Sequence, residues 1–214
     1  MENQAATMMG SNLNLLISNK AKIWLTPCDE STVIKDSSNR VSSILDISGN
    51  KNHFTQSNNT YKPIWSANGI TSDGVNDIMK SPALSIPPSY TIFIVLKYLS
   101  GTTTCFGTNT GSMTLGISNT NYQMWNSSNV IARTSGVDIV QLHFNGSGSS
   151  FSVNSTKSSL GSVNVTITDL SMFGGYYDYY YTSFILKEFI LFNSEIDTIT
   201  STLIYNNLKL KYGI

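Results

Sequence analysis

The alternation of apolar and polar residues along this chain predicts many short β-strands with turns between them. Gly, Asn and Ser separate the apolar runs, and these residues are typical of tight turns. Short apolar runs separated by turn residues predict an all-β fold, an antiparallel β-sandwich or jelly roll. The runs include "KIWL" (22–25), "RVSSIL" (40–45), "SYTIFIVLKYL" (89–99), "VDIVQLHF" (137–144), "SFSVN" (150–154), "VNVTIT" (163–168) and "SFILKEFILFN" (183–193).

Two of these runs indicate where their strands lie in a sheet. In the run 89–99 both alternating sets, represented by Ile92 and Phe93, are largely apolar. This pattern predicts a central strand that is covered on both faces. In the run 137–144, Val140 and Leu142 lie on one face and Gln141 on the other. We therefore expect one face of that strand to be partly hydrated.

In the last part of the chain the apolar residues are spaced as in an α-helix and not as in a β-strand. Ser194 can serve as an N-cap, and Glu195 and Asp197 suit the first turn of a helix. We therefore expect one short C-terminal helix from about 195 to 208. Its apolar residues near helical spacing are Ile196, Ile199, Leu203 and Leu208.

Earlier in the chain, Asn145-Gly146 lies between two strand patterns and predicts a hairpin.

The chain of 214 residues is long enough for one large β-sandwich domain, which we place at 21–214. Residues 1–20 lack strand alternation and are rich in small and polar side chains. We predict that they form an N-terminal arm that precedes the domain.

Composition narrows the range of partners. The 13 basic and 13 acidic residues give a net charge of zero, so the chain lacks the basic excess that nucleic acid or anionic lipid requires. The apolar run "LNLLI" near the start is too short for a signal peptide or a membrane span. We expect no nucleic-acid partner, no membrane insertion, and synthesis in the cytosol. Two cysteines without C-x-x-C spacing predict buried free thiols.

Carboxylate and amide side chains are frequent between 46 and 77, and four of them are candidate metal ligands: Asp46, Asn50, Asp73 and Asp77. Their oxygen atoms are of the kind that Ca²⁺ prefers. The same residues also suit tight turns, because an Asx side chain accepts a hydrogen bond from the backbone two residues on. No EF-hand loop pattern is present. We expect structural turns and no cofactor, with calcium or direct glycan contact as the alternatives.

A tyrosine-rich segment, "GGYYDYYYTSF" at 174–184, is the second candidate site. Tyrosine offers a large amphipathic contact area, which suits both sugar stacking and protein interfaces. The segment could be a partly packed strand edge, a subunit interface or a glycan platform. Its candidate residues are Tyr176, Tyr177, Asp178, Tyr179, Tyr180 and Tyr181.

The order of these elements resembles the concanavalin A-like lectin/glucanase superfamily, in the laminin-G-like form found in phage virion and bacterial surface proteins. The resemblance covers roughly 22–214. It is carried by Trp24, Asp29, "RVSSILDISGNKNHFTQ", Pro63, "NGITSDGVNDIM", "SYTIFIVLK", "KEFILFN" and the ending "LKLKYGI".

Glucanases of this superfamily use a Glu-x-Asp-x-x-Glu strand for hydrolysis with two carboxyl groups. Here "EIDTIT" supplies Glu195 and Asp197 but has Thr200 where the second catalytic acid would stand. His53 and His143, the two histidines, have no triad pattern beside them. We therefore expect no catalytic residue and a protein that is not an enzyme.

The resemblance implies a non-enzymatic structural protein of a phage virion, such as a capsid decoration, head-fibre or tail-associated subunit, anchored by its N-terminal arm. Its partners would be other virion proteins and further copies of itself, and it would be assembled in the host cytoplasm. The alternative is a carbohydrate-binding module or adhesin that recognises host surface glycans.

Overall fold

A computed structural model describes residues 14, 17, 20–102, 104–108, 113–124, 129–175 and 180–214. Within these residues the chain forms two antiparallel sheets that pack face to face, and a single helix follows the last strand. The predicted all-β sandwich with a short C-terminal helix is therefore confirmed.

The first sheet carries the candidate site on its outer face. Its strands run in the spatial order β15 (Thr156–Val163), β14 (Gly146–Val153), β13 (Asp138–Phe144), β8 (Tyr90–Ser100), β19 (Ser183–Phe192), β6 (Gly69–Thr71) and β5 (Ile64–Ser66), and β1 (Ile23–Leu25) also pairs with β19. Every pairing is antiparallel.

The second sheet closes the other side of the sandwich. Its spatial order is β12 (Val130–Ala132), β11 (Asn121–Met124), β10 (Thr114–Ile117), β9 (Thr104–Gly107), β16 (Ser171–Met172), β7 (Met79–Lys80), β4 (Phe54–Thr55), β3 (Val41–Ile44) and β2 (Val33–Lys35). β17 (Gly174–Gly175) and β18 (Tyr180–Tyr181) are two residues long each and form a separate two-stranded antiparallel sheet.

The main core lies between the two sheets. Side chains at alternate positions of β8 and β13, such as Ile94 and Leu142, point into it and are almost fully buried. The aromatic rings of Phe106, from the second sheet, and Phe189, from the first, meet at a centroid distance of 5.2 Å. Such aromatic contacts add to the apolar burial that holds the sheets together.

A second core lies on the outer face of the first sheet, under the helix. The other alternating set of β8, which includes Phe93 and Val95, belongs to this cluster together with Ile190 of β19. Ile204 and Leu208 of the helix pack on them and are 0% and 1% exposed. The prediction that β8 is central and covered on both faces is confirmed.

The C-terminal helix spans Thr198–Tyr212, three residues later at its start than predicted. Asp197, not Ser194, is the N-cap: its Oδ1 accepts the Thr200 backbone N–H at 2.8 Å. Gly213 ends the helix in the left-handed conformation, with φ 68°. No helix within the described part of the chain is both long enough and apolar enough to cross a membrane.

Ile17 lies inside the predicted arm but is 2% exposed, packed with Ala21 in the outer-face core. An apolar side chain buried to this extent is part of the folded domain. The boundary after residue 20 stays a prediction, but the outer-face core includes at least one residue from before it.

The β13–β14 hairpin at Asn145-Gly146 forms as predicted, with Gly146 at φ 77°.

The prediction of a strand at 163–168 is wrong. The strand here is β15, at 156–163, and Ile167 makes only an isolated bridge with Ile86. β15 lacked an apolar signal in the sequence because it is a largely exposed edge strand of polar residues.

Both cysteines are free thiols, in accordance with the sequence. Cys105 of β9 is fully buried between the sheets, and burial raises its pKa far above the ordinary value. Cys28 is half-buried near the end of the helix, where burial also raises its pKa.

A buried carboxylate anchors the end of the helix to the first sheet. Glu188 of β19 is 2% exposed and accepts hydrogen bonds from the Trp24 indole at 2.8 Å and the Tyr212 hydroxyl at 2.7 Å. The Lys211 ammonium lies 2.7 Å from the same carboxylate. These three partners offset the cost of burying the carboxylate.

Replacing Glu188 by Ala is expected to lower the free energy of unfolding by about 2–4 kcal/mol, because the buried Trp24 indole N–H loses its acceptor and the Tyr212 hydroxyl keeps only the Lys187 carbonyl. Urea denaturation measures the change. Glu30→Ala is the control, since Glu30 forms an exposed pair with Lys35 at 3.1 Å and its loss should cost less than about 1 kcal/mol. Equal effects of the two variants would contradict this account of the helix anchor.

Candidate functional site

The outer face of the first sheet changes from apolar to polar between β8 and β15. Strand register places Phe93, Gln141, Ser152 and Lys157 in one row across four strands. The next row runs through Thr91, His143, Ser150 and Ser159. Five polar members of these two rows form the floor of a surface groove: Gln141, His143, Ser150, Ser152 and Lys157.

The C-terminal helix forms the wall of this groove, which has a volume of about 610 Å³. We call it the polar groove. Its floor comes from β13, β14 and β15, and its wall from the first two turns of the helix and the residues before it. Side chains that line it include Gln141, His143, Ser152, Lys157, Glu195 and Tyr205.

The floor is organised by its own hydrogen bonds. The Gln141 amide nitrogen contacts the His143 ring and donates to the Ser201 hydroxyl of the helix. The Thr91 hydroxyl lies 3.2 Å from His143 Nδ1. Burial lowers the pKa of His143, and the nearby Lys157 ammonium lowers it further. The ring is therefore neutral at pH 7 and has one donor and one acceptor nitrogen.

Tyr205 gives the groove an amphipathic wall. Its ring packs partly against the outer-face core, and its hydroxyl lies 3.2 Å from the Ser155 hydroxyl. Ser155 has φ 70°, a left-handed conformation that is costly for a residue other than Gly, Asn or Asp. The β14–β15 turn thus holds a hydroxyl group at the mouth of the groove.

Glu195 places one carboxylate at the rim, where it accepts a hydrogen bond from the Asn145 side-chain amide at 2.9 Å. Asp197, its neighbour in the "EIDTIT" motif, is occupied in capping the helix. Glu195 is the one acid among the described residues that line the groove. A pair of carboxylates suited to hydrolysis is not formed by these residues.

The candidate calcium ligands occupy two separate turns. Asp46 is 6% exposed, and its carboxylate accepts the backbone N–H groups of Trp24, Ser48 and Asn52, each at 2.9 Å. The Asn50 amide donates to the Ala21 carbonyl at 3.0 Å. These side chains tie the turn to the start of β1, which is the structural role that the sequence favoured.

The second turn contains the other two candidates. Asp73 Oδ1 accepts the Val75 N–H at 2.8 Å, and Asp77 Oδ2 accepts the Asp73 N–H at 2.8 Å. Among the described residues, no group of three or more His, Cys, Asp or Glu side chains is arranged to hold a metal ion. The geometry of both turns is accounted for by backbone hydrogen bonds.

Of the tyrosine candidates, Tyr176, Tyr177, Asp178 and Tyr179 lie outside the described residues. Tyr180 and Tyr181 form β18, and Tyr181 is half-buried. Tyr181 is not among the described residues that line the polar groove. The one sequence signal for it was the partly hydrated face of β13, marked by Gln141.

No family model and no curated protein sequence matches the chain. Solved structures share its fold. A GH54 α-L-arabinofuranosidase has a TM-score of 0.63 at 10% identity, over 92% of this chain and 60% of the other. Trypanosoma rangeli sialidase in complex with sialic acid has a TM-score of 0.61 at 12% identity, over 88% and 33%.

The botulinum neurotoxin serotype D binding domain is also similar, with a TM-score of 0.59 at 14% identity over 92% of this chain and 53% of the other. This chain therefore spans between about a third and three fifths of those three chains. At 10–14% identity, the comparison shows that these proteins share a β-sandwich fold with this chain.

The expectation that this protein is not an enzyme has to be corrected. The arabinofuranosidase and the sialidase are glycosidases that share this fold over most of the present chain. A missing Glu-x-Asp-x-x-Glu motif rules out one arrangement of catalytic acids and no other. The fold does not exclude hydrolysis.

The turn at Asp77 predicts a dependence of stability on pH. Burial, together with the neighbouring Asp73 carboxylate, raises the pKa of Asp77 to about 6. The unfolded chain releases this proton near pH 4, so the folded state loses stability as the pH rises from about 4 to 6. Asp77→Asn should therefore gain stability over the wild type across this window and differ little from it below pH 4.

Thermal unfolding of both proteins, measured from pH 3.5 to 7.5 with EDTA and again with excess CaCl₂, tests this account. A wild-type melting temperature that rises with calcium at pH 7.5, and not in Asp77→Asn, would instead show that the turn binds the cation. An advantage of Asp77→Asn that is equal at every pH would contradict the raised pKa.

Proposed function

We propose that this protein is a carbohydrate-binding module that holds a neutral glycan in the polar groove. The observation that carries the proposal is the composition of the groove: hydroxyl, amide and neutral imidazole groups on the floor, and a partly exposed tyrosine ring on the wall. A sugar presents the matching chemistry, with hydroxyl groups around its edge and a face of C–H bonds.

The hydrogen-bonding capacity of the groove suits polyhydroxylated ligands. Sugar hydroxyl groups donate and accept, and the Ser152 hydroxyl on the floor offers both functions. Glu195 at the rim accepts from sugar hydroxyls, while Lys157 on the opposite side donates to them. With one charge of each sign, the groove has no net charge to select an anionic or cationic ligand.

Tyr205 would supply the apolar contact. Its ring is fixed by packing against the outer-face core and by the hydroxyl contact with Ser155, so little side-chain entropy is lost when a sugar stacks on it. A shallow groove with one aromatic platform predicts weak affinity for a single site, which several copies would strengthen.

The fold supports this proposal. Its structural relatives include a sialidase in complex with sialic acid and an arabinofuranosidase, both of which act on carbohydrates, and a neurotoxin binding domain. Their identity with this chain is 10–14%, so the likeness extends to the fold and the site has to be argued from its own residues.

A glycan array followed by calorimetry with the strongest ligand tests the proposal. Tyr205→Ala should weaken binding at least about tenfold, equivalent to about 1.4 kcal/mol of lost stacking. Tyr205→Phe keeps the ring and should bind within about threefold of wild type. Tyr61→Ala removes a 40% exposed tyrosine that does not line the groove and should leave affinity unchanged.

Because Tyr205 also packs on the core, a second variant guards against misfolding. Ser152→Phe fills the groove floor from a strand position and should abolish binding while circular dichroism stays unchanged. Binding that is lost in Tyr177→Ala or Tyr179→Ala, and kept in Tyr205→Ala and Ser152→Phe, would place the ligand on the tyrosine segment and reject the groove. An array without hits would reject both sites.

The setting in a phage particle stays a prediction that rests on the resemblance in the sequence. A glycan-binding module would suit attachment to a bacterial surface. We expect mass spectrometry and immunogold labelling to detect the protein in purified particles of the phage that encodes it. Particles that lack the protein would show that this setting is wrong.

A further inference from the structure

The outward side of the C-terminal helix carries three exposed large apolar side chains. Ile199, Leu203 and Leu210 are 75%, 44% and 79% exposed, whereas Ile204 and Leu208 on the opposite side are buried against the sheet. A helix that needs one apolar face to pack on its domain does not need a second one. Exposed apolar residues grouped on one element mark a contact surface.

The spacing of these residues is that of a helix–helix seam. Ile199, Leu203, Asn206 and Leu210, which we call the outer ridge, follow one another at intervals of four, three and four. At about 100° per residue they lie within about 60° of one another on the helix surface. This is the a/d pattern of paired helices, in which a single Asn limits stability and fixes register.

The charges at the two ends of the helix are complementary to each other. Glu195 and Asp197 stand at its start and Lys209 in its last turn, where Lys211 is already paired with Glu188. Two antiparallel copies would bring the acidic start of each beside the basic end of the other. A parallel arrangement would instead place like charges, and like ends of the helix dipoles, side by side.

We propose that the outer ridge is the contact surface for a second copy of this chain, packed antiparallel about a two-fold axis near residues 204 and 205. In this register Ile199 of one copy faces Leu210 of the other, and Leu203 faces Asn206. A two-fold axis makes each of these contacts twice, so one helix supplies both halves of the interface.

The dimer is expected to be weak and sensitive to salt. One helix pair buries less than the roughly 1,200 Å² of a stable interface, which points to a dissociation constant in the micromolar range or weaker. The end charges are exposed, so salt screens their attraction. This inference does not depend on glycan binding, because the three apolar ridge residues, Ile199, Leu203 and Leu210, do not line the polar groove, although Asn206 of the ridge does.

Sedimentation equilibrium of the full chain, from micromolar to millimolar concentration, measures the association. Leu203→Glu should weaken it at least about tenfold, because a charge replaces an apolar contact at the centre of the seam. The matched control is Leu99→Glu: both leucines are 44% exposed, but Leu99 lies in β8 and outside the ridge. Leu210→Glu serves as a second ridge variant if Leu203→Glu misfolds.

Cysteine cross-linking tests the orientation. In a Cys28→Ser background, Ile199→Cys and Leu210→Cys proteins are oxidised separately and then as a mixture. The antiparallel register predicts a cross-linked dimer in the mixture and almost none in either protein alone. Disulfide dimers of each protein alone would show a parallel pair and overturn the proposed register.

The proposal is overturned if the wild type stays monomeric up to millimolar concentration, or if Leu99→Glu weakens the dimer as much as the ridge variants do. A dimer that tightens as salt is added, and resists both ridge variants, would place the contact elsewhere. Glycan binding measured on the same variants keeps the two proposals distinct, since ridge variants should retain the affinity of a single site.

Discussion

The architecture depends on burial of apolar side chains on the outer face of the first sheet as well as on its inner face. Phe93, Val95 and Ile190 would be exposed in a simple two-layer sandwich, and the C-terminal helix covers them. The same cluster includes Trp24 of β1 and Ile139 of β13, so it extends over four neighbouring strands. The polar groove begins where this cover ends, which explains why the row from Phe93 continues as Gln141 and Ser152.

Local pattern was sufficient to predict the sandwich, the double burial of β8, the Asn145-Gly146 hairpin and the presence of a final helix. Two details of the prediction were wrong for local reasons. Asp197 outcompetes Ser194 as the cap because its carboxylate reaches both the backbone N–H and the hydroxyl of Thr200. The strand expected at 163–168 is replaced by β15 at 156–163, whose polar edge gives no alternating apolar signal.

The groove could not be predicted from the sequence because its parts meet only through long-range register. Gln141 and Ser201 are sixty positions apart and share a hydrogen bond only once the helix has docked on β13. The Asx-rich stretch shows the opposite case. Asp46 and Asp73 bind backbone groups, most of them within a few residues, and the turn interpretation needed only local chemistry. The tyrosine segment was conspicuous by composition, but composition does not indicate which surface a side chain faces.

The two free thiols lie at different depths of this layered structure. Cys28 stands beside Tyr212 at the end of the helix, and Cys105 is enclosed between the sheets. Partial detachment of the helix would expose the first sulfur while the second stays protected, since local opening requires less free energy than global unfolding. The molecule therefore contains its own pair of chemical reporters: alkylation kinetics at Cys28 would follow movements of the outer layer, and those at Cys105 separation of the sheets.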